Sequence, residues 1–115
     1  MVLREDGILA YHAIRGLVLT HEIALQVIQV GSQIAKEPKP TLVLMQDMAR
    51  VDRAARGCLA SEEYMRVCSQ TALVVGSPVS RVIGNFFAGL NRPKYPLKLF
   101  DDTELATEWL SGFLS

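Results

Sequence analysis

The chain has 115 residues, half of them apolar, and its 12 basic side chains balance 12 acidic ones. That length gives one domain with one core and no room for a second. Zero net charge leaves no basic stripe for nucleic acid, and the apolar content is too high for a disordered chain.

Gly7–Ile14 (GILAYHAI) reads as a strand, Arg15-Gly16 as a turn and Leu17–Leu19 as a second short extended piece. Thr20 is a natural N-cap, with Glu22 in the first turn where a helix favours an acid. Ile23, Val27, Val30 and Ile34 then form one apolar stripe of a helix running to about Lys36, stopped by Pro38 and Pro40. Thr41–Met48 predicts a strand buried on both faces, as a parallel sheet requires. A second helix is predicted from Asp52 or Arg53 through Cys68, with Ala54, Cys58, Ser61, Met65 and Cys68 on one face.

Gln70–Val75 predicts another buried strand, and Gly76-Ser77-Pro78 a strand-to-helix turn with Ser77 as cap and Pro78 in first position. The third helix places Val79, Val82, Ile83, Phe86, Phe87 and Leu90 on a wide apolar face and ends at Asn91-Arg92-Pro93. Tyr95–Phe100 is the last strand, with Pro96 marking a strand start or an edge. Asp101-Asp102 caps a final helix in which Leu105, Ala106, Trp109, Leu110 and Phe113 recur at helical spacing. Strands alternating with helices imply an α/β fold: a mainly parallel sheet of four or five strands carrying four helices.

The apolar runs, such as Ala72–Gly76, fall far short of the ~20 residues that span a bilayer, so no membrane association is expected. Met1–Gly7 carries acids and lacks the basic start and apolar middle of a signal peptide. Placed ten apart on one helix, Cys58 and Cys68 would sit about 15 Å apart, beyond the ~7 Å reach of a disulfide. Free thiols then point to a reducing compartment, the cytoplasm.

The run Ala72–Phe87 (ALVVGSPVSRVIGNFF), its continuation Gly89-Leu90-Asn91-Arg92-Pro93, and Leu99-Phe100 with Glu108-Trp109-Leu110 together resemble a bacterial family of small stand-alone domains labelled STAS-like. These domains in turn look like relatives of the anti-sigma-factor antagonists and of the lipid-carrying CRAL-TRIO fold. Asp47 and Val51–Arg56 are similar to that family's second-strand exit and second-helix start, across a slightly shorter connection. The resemblance implies the same layered fold and a partner surface at Asp47, Arg50, Asp52, Arg53 and Arg56. One departure stands out. The antagonists switch partners through a phosphorylated Ser or Thr at this helix start, whereas Arg50–Gly57 contains no hydroxyl residue. Asp52 reads either as a helix cap or as a fixed stand-in for the phosphate charge.

The turn Gly76, Ser77, Ser80 and Arg81 is the chemical candidate, because a helix start after a buried strand favours an anion and Arg81 brings a fork of donors. The alternative is that both serines cap the helix for themselves while Arg81 is solvated or ion-paired, and Pro78 removes one N–H. No nucleotide-binding glycine pattern is present, and no cofactor is expected. His12 and His21 lack partners at metal-ligand spacing, Cys58 reads as a core thiol, and Glu62-Glu63 point about 100° apart on a helix. No catalytic residue emerges.

Phe86, Phe87, Trp109 and Phe113 suit a core better than a lipid cavity, and the adjacent Phe86 and Phe87 suggest a homodimer through a helix face. The expectation is a non-enzymatic interaction or regulatory module. The alternative is a carrier or sensor of a small anionic or lipid-like ligand at Gly76–Arg81.

Overall fold

The computed structural model describes residues 1–13, 16–45, 50–76, 78, 81–82 and 94–114. In chain order the elements are β1 (Val2–Leu3), β2 (Leu9–His12), β3 (Val18–Leu19), α1 (His21–Ile34), β4 (Lys39–Leu44) and β5 (Arg50–Val51). There follow α2 (Arg53–Leu59), α3 (Glu62–Met65), β6 (Cys68–Val74), β7 (Leu97–Phe100) and α4 (Thr103–Ser111). The main sheet has the order β1-β2-β4-β6-β7, parallel throughout except for β1, and β3 pairs with β5 in a small parallel ribbon. The mixed α/β fold with its five-stranded sheet is as the sequence predicts.

The helices begin where cap chemistry places them. Thr20 Oγ1 accepts from the Ile23 N–H at 3.3 Å, Asp52 Oδ1 from Ala55 at 2.7 Å, and Asp102 Oδ1 from Leu105 at 3.1 Å. Each takes up one of the N–H groups that a helix start leaves unpaired. Pro96 immediately precedes β7, an outermost strand of the described sheet, where a missing N–H costs least. Gly7, at φ +89°, closes the β1–β2 turn in a conformation that other residues rarely adopt.

Four readings need correction. The second helix is not continuous to Cys68: it breaks at Ala60–Ser61, where the N–H and the hydroxyl of Ser61 both donate back to the Cys58 carbonyl, three residues earlier. Cys68 therefore opens β6 instead of sharing a helix with Cys58, and both thiols are free and buried. The buried residues of α2 are Ala55 and Cys58, while Ala54 is exposed. Pro40 lies inside β4 rather than merely ending α1, and the β4–β6 register shifts between Lys39 and Thr41 around the residue that has no N–H to donate. The third predicted helix falls largely outside the described residues, although Pro78, Arg81 and Val82 are helical.

Alternation along the strands feeds two faces. Ala13, Val43, Met45, Leu73 and Val75 pack on one face with Ala24 of α1 and Ala55 and Cys58 of α2. Ile8, Leu42, Ala72 and Val74 pack on the other with Ala106 and Leu110 of α4. The centre of the α1 contact is narrower than the predicted stripe, since only Ala24 and Gly31 are fully buried and Val30 is 41% exposed.

Gly31 explains the close approach. A Cβ there would run into the Cγ1 methyl of the buried Val67. Gly31→Ala is therefore expected to cost about 1–2 kcal/mol despite alanine's better helix propensity, because overpacking outweighs that gain. Urea unfolding checks it, and in a Val67→Ala background the same change should cost nothing.

Candidate functional site

Four parallel strands end at one edge of the sheet. Beyond their last residues the ladder continues with Ala13 N–H to Leu44 O, Met45 to Val74 and Val75 to Phe100, at 2.8, 3.1 and 2.7 Å. The connections to α2 and the Gly76 turn both leave from this edge. Among the described strands the order β2-β4-β6-β7 never reverses, so these strands form no crevice between crossovers of opposite direction, the usual ligand position in open α/β sheets.

At the α2 start, β5 holds Arg50 beside β3 through the Arg50 N–H to Leu17 O bond at 3.3 Å, and the Asp52 N–H donates to Leu19 O at 3.0 Å. The Asp52 carboxylate is used as the helix cap. Arg50 and Arg53 are exposed and Arg56 is half-buried, one helical turn beyond Arg53. Among the described residues, none of these three guanidinium groups has a carboxylate within ion-pair distance. The exposed backbone of Gly57 adds a flat stretch next to them, open enough that a Cβ would meet nothing. Asp47 lies outside the described residues.

The second candidate is only partly visible. Gly76 is exposed, and Arg81 Nη2 lies 3.5 Å from Asp101 Oδ2, both side chains open to solvent. Ser77 and Ser80 lie outside the described residues, as do Phe86 and Phe87. Trp109 stacks edge-on with Phe113 at 5.1 Å between centroids and tilted on Phe100 at 5.8 Å. Leu105 and Phe113, read from the sequence as core, are 55% and 41% exposed.

The remaining polar candidates are dispersed. His12 ends β2, His21 is exposed at the first position of α1, and Glu62 and Glu63 are exposed in the first turn of α3. Among the described residues no three His, Cys, Asp or Glu side chains come together as a metal site would need. Burial, with a smaller contribution from Glu63, pushes the Cys58 thiol above its usual range. Burial pushes Cys68 up to about 11 against opposing hydrogen bonds from Thr41 and Tyr64. Neither thiol supplies a thiolate near neutral pH.

A tyrosine cluster escapes sequence reading. Tyr11 and Tyr64 hydroxyls lie 3.0 Å apart, Tyr64 and Tyr95 rings tilt together at 5.5 Å, and the Tyr95 hydroxyl donates to Leu59 O at 2.9 Å. Tyr64 and Tyr95 are buried; the Tyr11 ring keeps some surface while its hydroxyl end is enclosed. The only hint in the sequence is Tyr11 two residues after the inward Leu9, a core position whose hydroxyl needs a partner.

Comparison with known proteins adds family and fold. The family model described as "Domain of unknown function (DUF7793)" matches residues 1–114. The chain belongs to the DUF7793 family. No curated protein matches it. The DUF7793 chain is similar to the crystal structure of an uncharacterized protein of the DUF3478 family from Shewanella loihica PV-4, described as having a SpoIIAA-like fold. The TM-score is 0.59 at 19% identity, over 88% of this chain and 82% of that one. This agrees with the STAS-like fold expected from Ala72–Phe87 and Glu108–Leu110, and at that identity it speaks for the fold alone. Among the described residues of the DUF7793 domain, no helix is long and apolar enough to cross a membrane.

Proposed function

We propose that this DUF7793 domain is a non-enzymatic regulatory module that captures an acidic protein partner on the start of α2. The observation that carries the reading is the group Arg50, Arg53 and Arg56 around one helix start, with no carboxylate partner among the described residues. Arginine forks pair bidentately with carboxylates and are favoured at interfaces. The neighbouring Ala54 and Gly57, both exposed, let a partner's backbone approach closely. Asp52 is the helix cap, so the site works by fixed charge complementarity rather than by a phosphorylation switch on a hydroxyl.

The test is charge reversal. Arg53→Glu with Arg56→Glu should lower affinity for a partner, identified by crosslinking in the host and then purified, by more than roughly tenfold. Binding should also weaken with salt, because rim charges are screened. Circular dichroism should show an intact fold, since neither side chain makes an ion pair with a described residue. Unchanged affinity in the reversed variant sinks the proposal.

A further inference from the structure

Two helices carry opposite charge on opposite faces of the sheet. α2 packs on the face of Leu73 and Val75, and α4 on the face of Ala72 and Val74. α4 holds Glu104 and Glu108 and no basic residue, while α2 holds Arg53 and Arg56 and no acidic one. Residues three or four apart on a helix are surface neighbours, so each helix presents two like charges side by side. Glu104 and Glu108 are exposed, and neither has an ion-pair partner among the described residues. The cations around the α4 start are engaged elsewhere. Arg81 pairs with Asp101 at 3.5 Å, and Lys98 lies over the Phe100 ring at 5.4 Å from its centroid.

An apolar strip runs beside these glutamates. Leu105, Trp109 and Phe113 recur every four residues, with Leu105 and Phe113 exposed and Trp109 half-buried. The ground beside the arginines is apolar too, but flat. Ala54 and Gly57 are exposed there, and the exposed Val18 sits in register next to Arg50. A strip with Trp and Phe edged by carboxylates thus fits a flat patch edged by guanidinium groups. Aromatic residues and arginine are also what protein interfaces select. One chain cannot bring its own two surfaces together, because the sheet stands between them. Two copies can, and a chain with 12 basic and 12 acidic residues carries no net charge to keep its copies apart.

We infer that the domain associates head to tail with a second copy of itself, the Glu104 and Glu108 side of α4 seated on Arg50, Arg53 and Arg56 of the next chain. This rests on the arginine surface proposed above and names its acidic partner. The contact joins two different surfaces, so it does not close after two copies and continues into a ring or a filament.

Sedimentation equilibrium of the purified full chain is the test. The average mass should rise with concentration past that of two chains, and added salt should lower it. Arg53→Glu with Arg56→Glu, and separately Glu104→Lys with Glu108→Lys, should each weaken self-association by at least about tenfold, with unchanged circular dichroism. An equimolar mixture of the two reversed chains should associate again, because their charges are complementary. If the arginine-reversed chain does not fold, Arg50→Glu with Arg53→Glu, at two exposed positions, replaces it. A mass of one chain at every concentration overturns the inference and leaves the arginines to a different acidic protein. Failure of the arginine surface itself shows instead as unchanged affinity for the partner crosslinked in the host. A mass that stops at two chains overturns the head-to-tail contact, as does full association by either reversed chain alone, since one face then meets its own copy.

Discussion

Raising the pH above 10 is expected to unfold the domain in one narrow step. All three tyrosines of the chain belong to the buried cluster. Burial holds the Tyr11, Tyr64 and Tyr95 hydroxyls above their ordinary value of 10.0, and the neighbouring Cys68 adds to this in each case. Below pH 10 each tyrosine is neutral in both states, and the pairing is worth its full amount. Above it the unfolded chain releases protons that the native chain retains, so stability falls with rising pH. The slope is about 1.4 kcal/mol per pH unit for each tyrosine, or about 4 for three. Cys68, pushed from 9.0 up to about 11, starts the loss a unit earlier. A domain stable by about 5–15 kcal/mol does not survive that slope for long. Phenolate absorbance and far-ultraviolet circular dichroism should therefore change together in one transition. Normal tyrosine titration with the secondary structure intact would refute the burial of this cluster.

Tyr64→Ala is expected to cost about 3–5 kcal/mol, the most of any single truncation proposed for this chain. Tyr64 heads the fully buried side chains by size and packs among Leu9, Val67, Cys68 and Tyr95. The missing ring leaves a cavity and an unpaired Tyr11 hydroxyl together. Tyr64→Phe keeps the ring, loses the hydroxyl contact, and should cost about 1–2 kcal/mol. Urea unfolding of both variants separates packing from hydrogen bonding. Equal losses would mean that the hydroxyl, not the ring, holds the cluster.

Sequence patterns were most informative where the physics is local. Thr20, Asp52 and Asp102 cap the next N–H groups in their own segment, so their roles can be seen without a fold. The inner strands could be recognised because the second halves of β4 (Leu42–Leu44) and β6 (Ala72–Val74) read as short apolar runs, as strands covered on both faces do. Local signals failed where tertiary contacts decide. The helical period of Tyr64 and Met65 continues that of α2, yet Ser61 breaks the helix and turns Tyr64 into the core. The two-residue strands β1, β3 and β5 are too short to show alternation. Of the candidate site, the arginines and their helix start were readable, since capping and spacing suffice. The Tyr11–Tyr64 pair spans 53 positions, and the seat of α1 depends on Gly31 meeting Val67 from a distant segment of the chain.

The unreversed order of the parallel strands has a consequence for synthesis on the ribosome. Each new strand is added beside the one made just before it, so the sheet can grow in step with the emerging chain. The face carrying Ile8, Leu42, Ala72 and Val74 is covered by α4, the latest helix in chain order. Until residues 103–111 leave the exit tunnel, that face lacks the helix that buries it among the described residues. A nascent chain whose strands have emerged while residues 103–111 are still inside the tunnel is thus at its most vulnerable to aggregation, with its sheet complete and the α4 side unsealed.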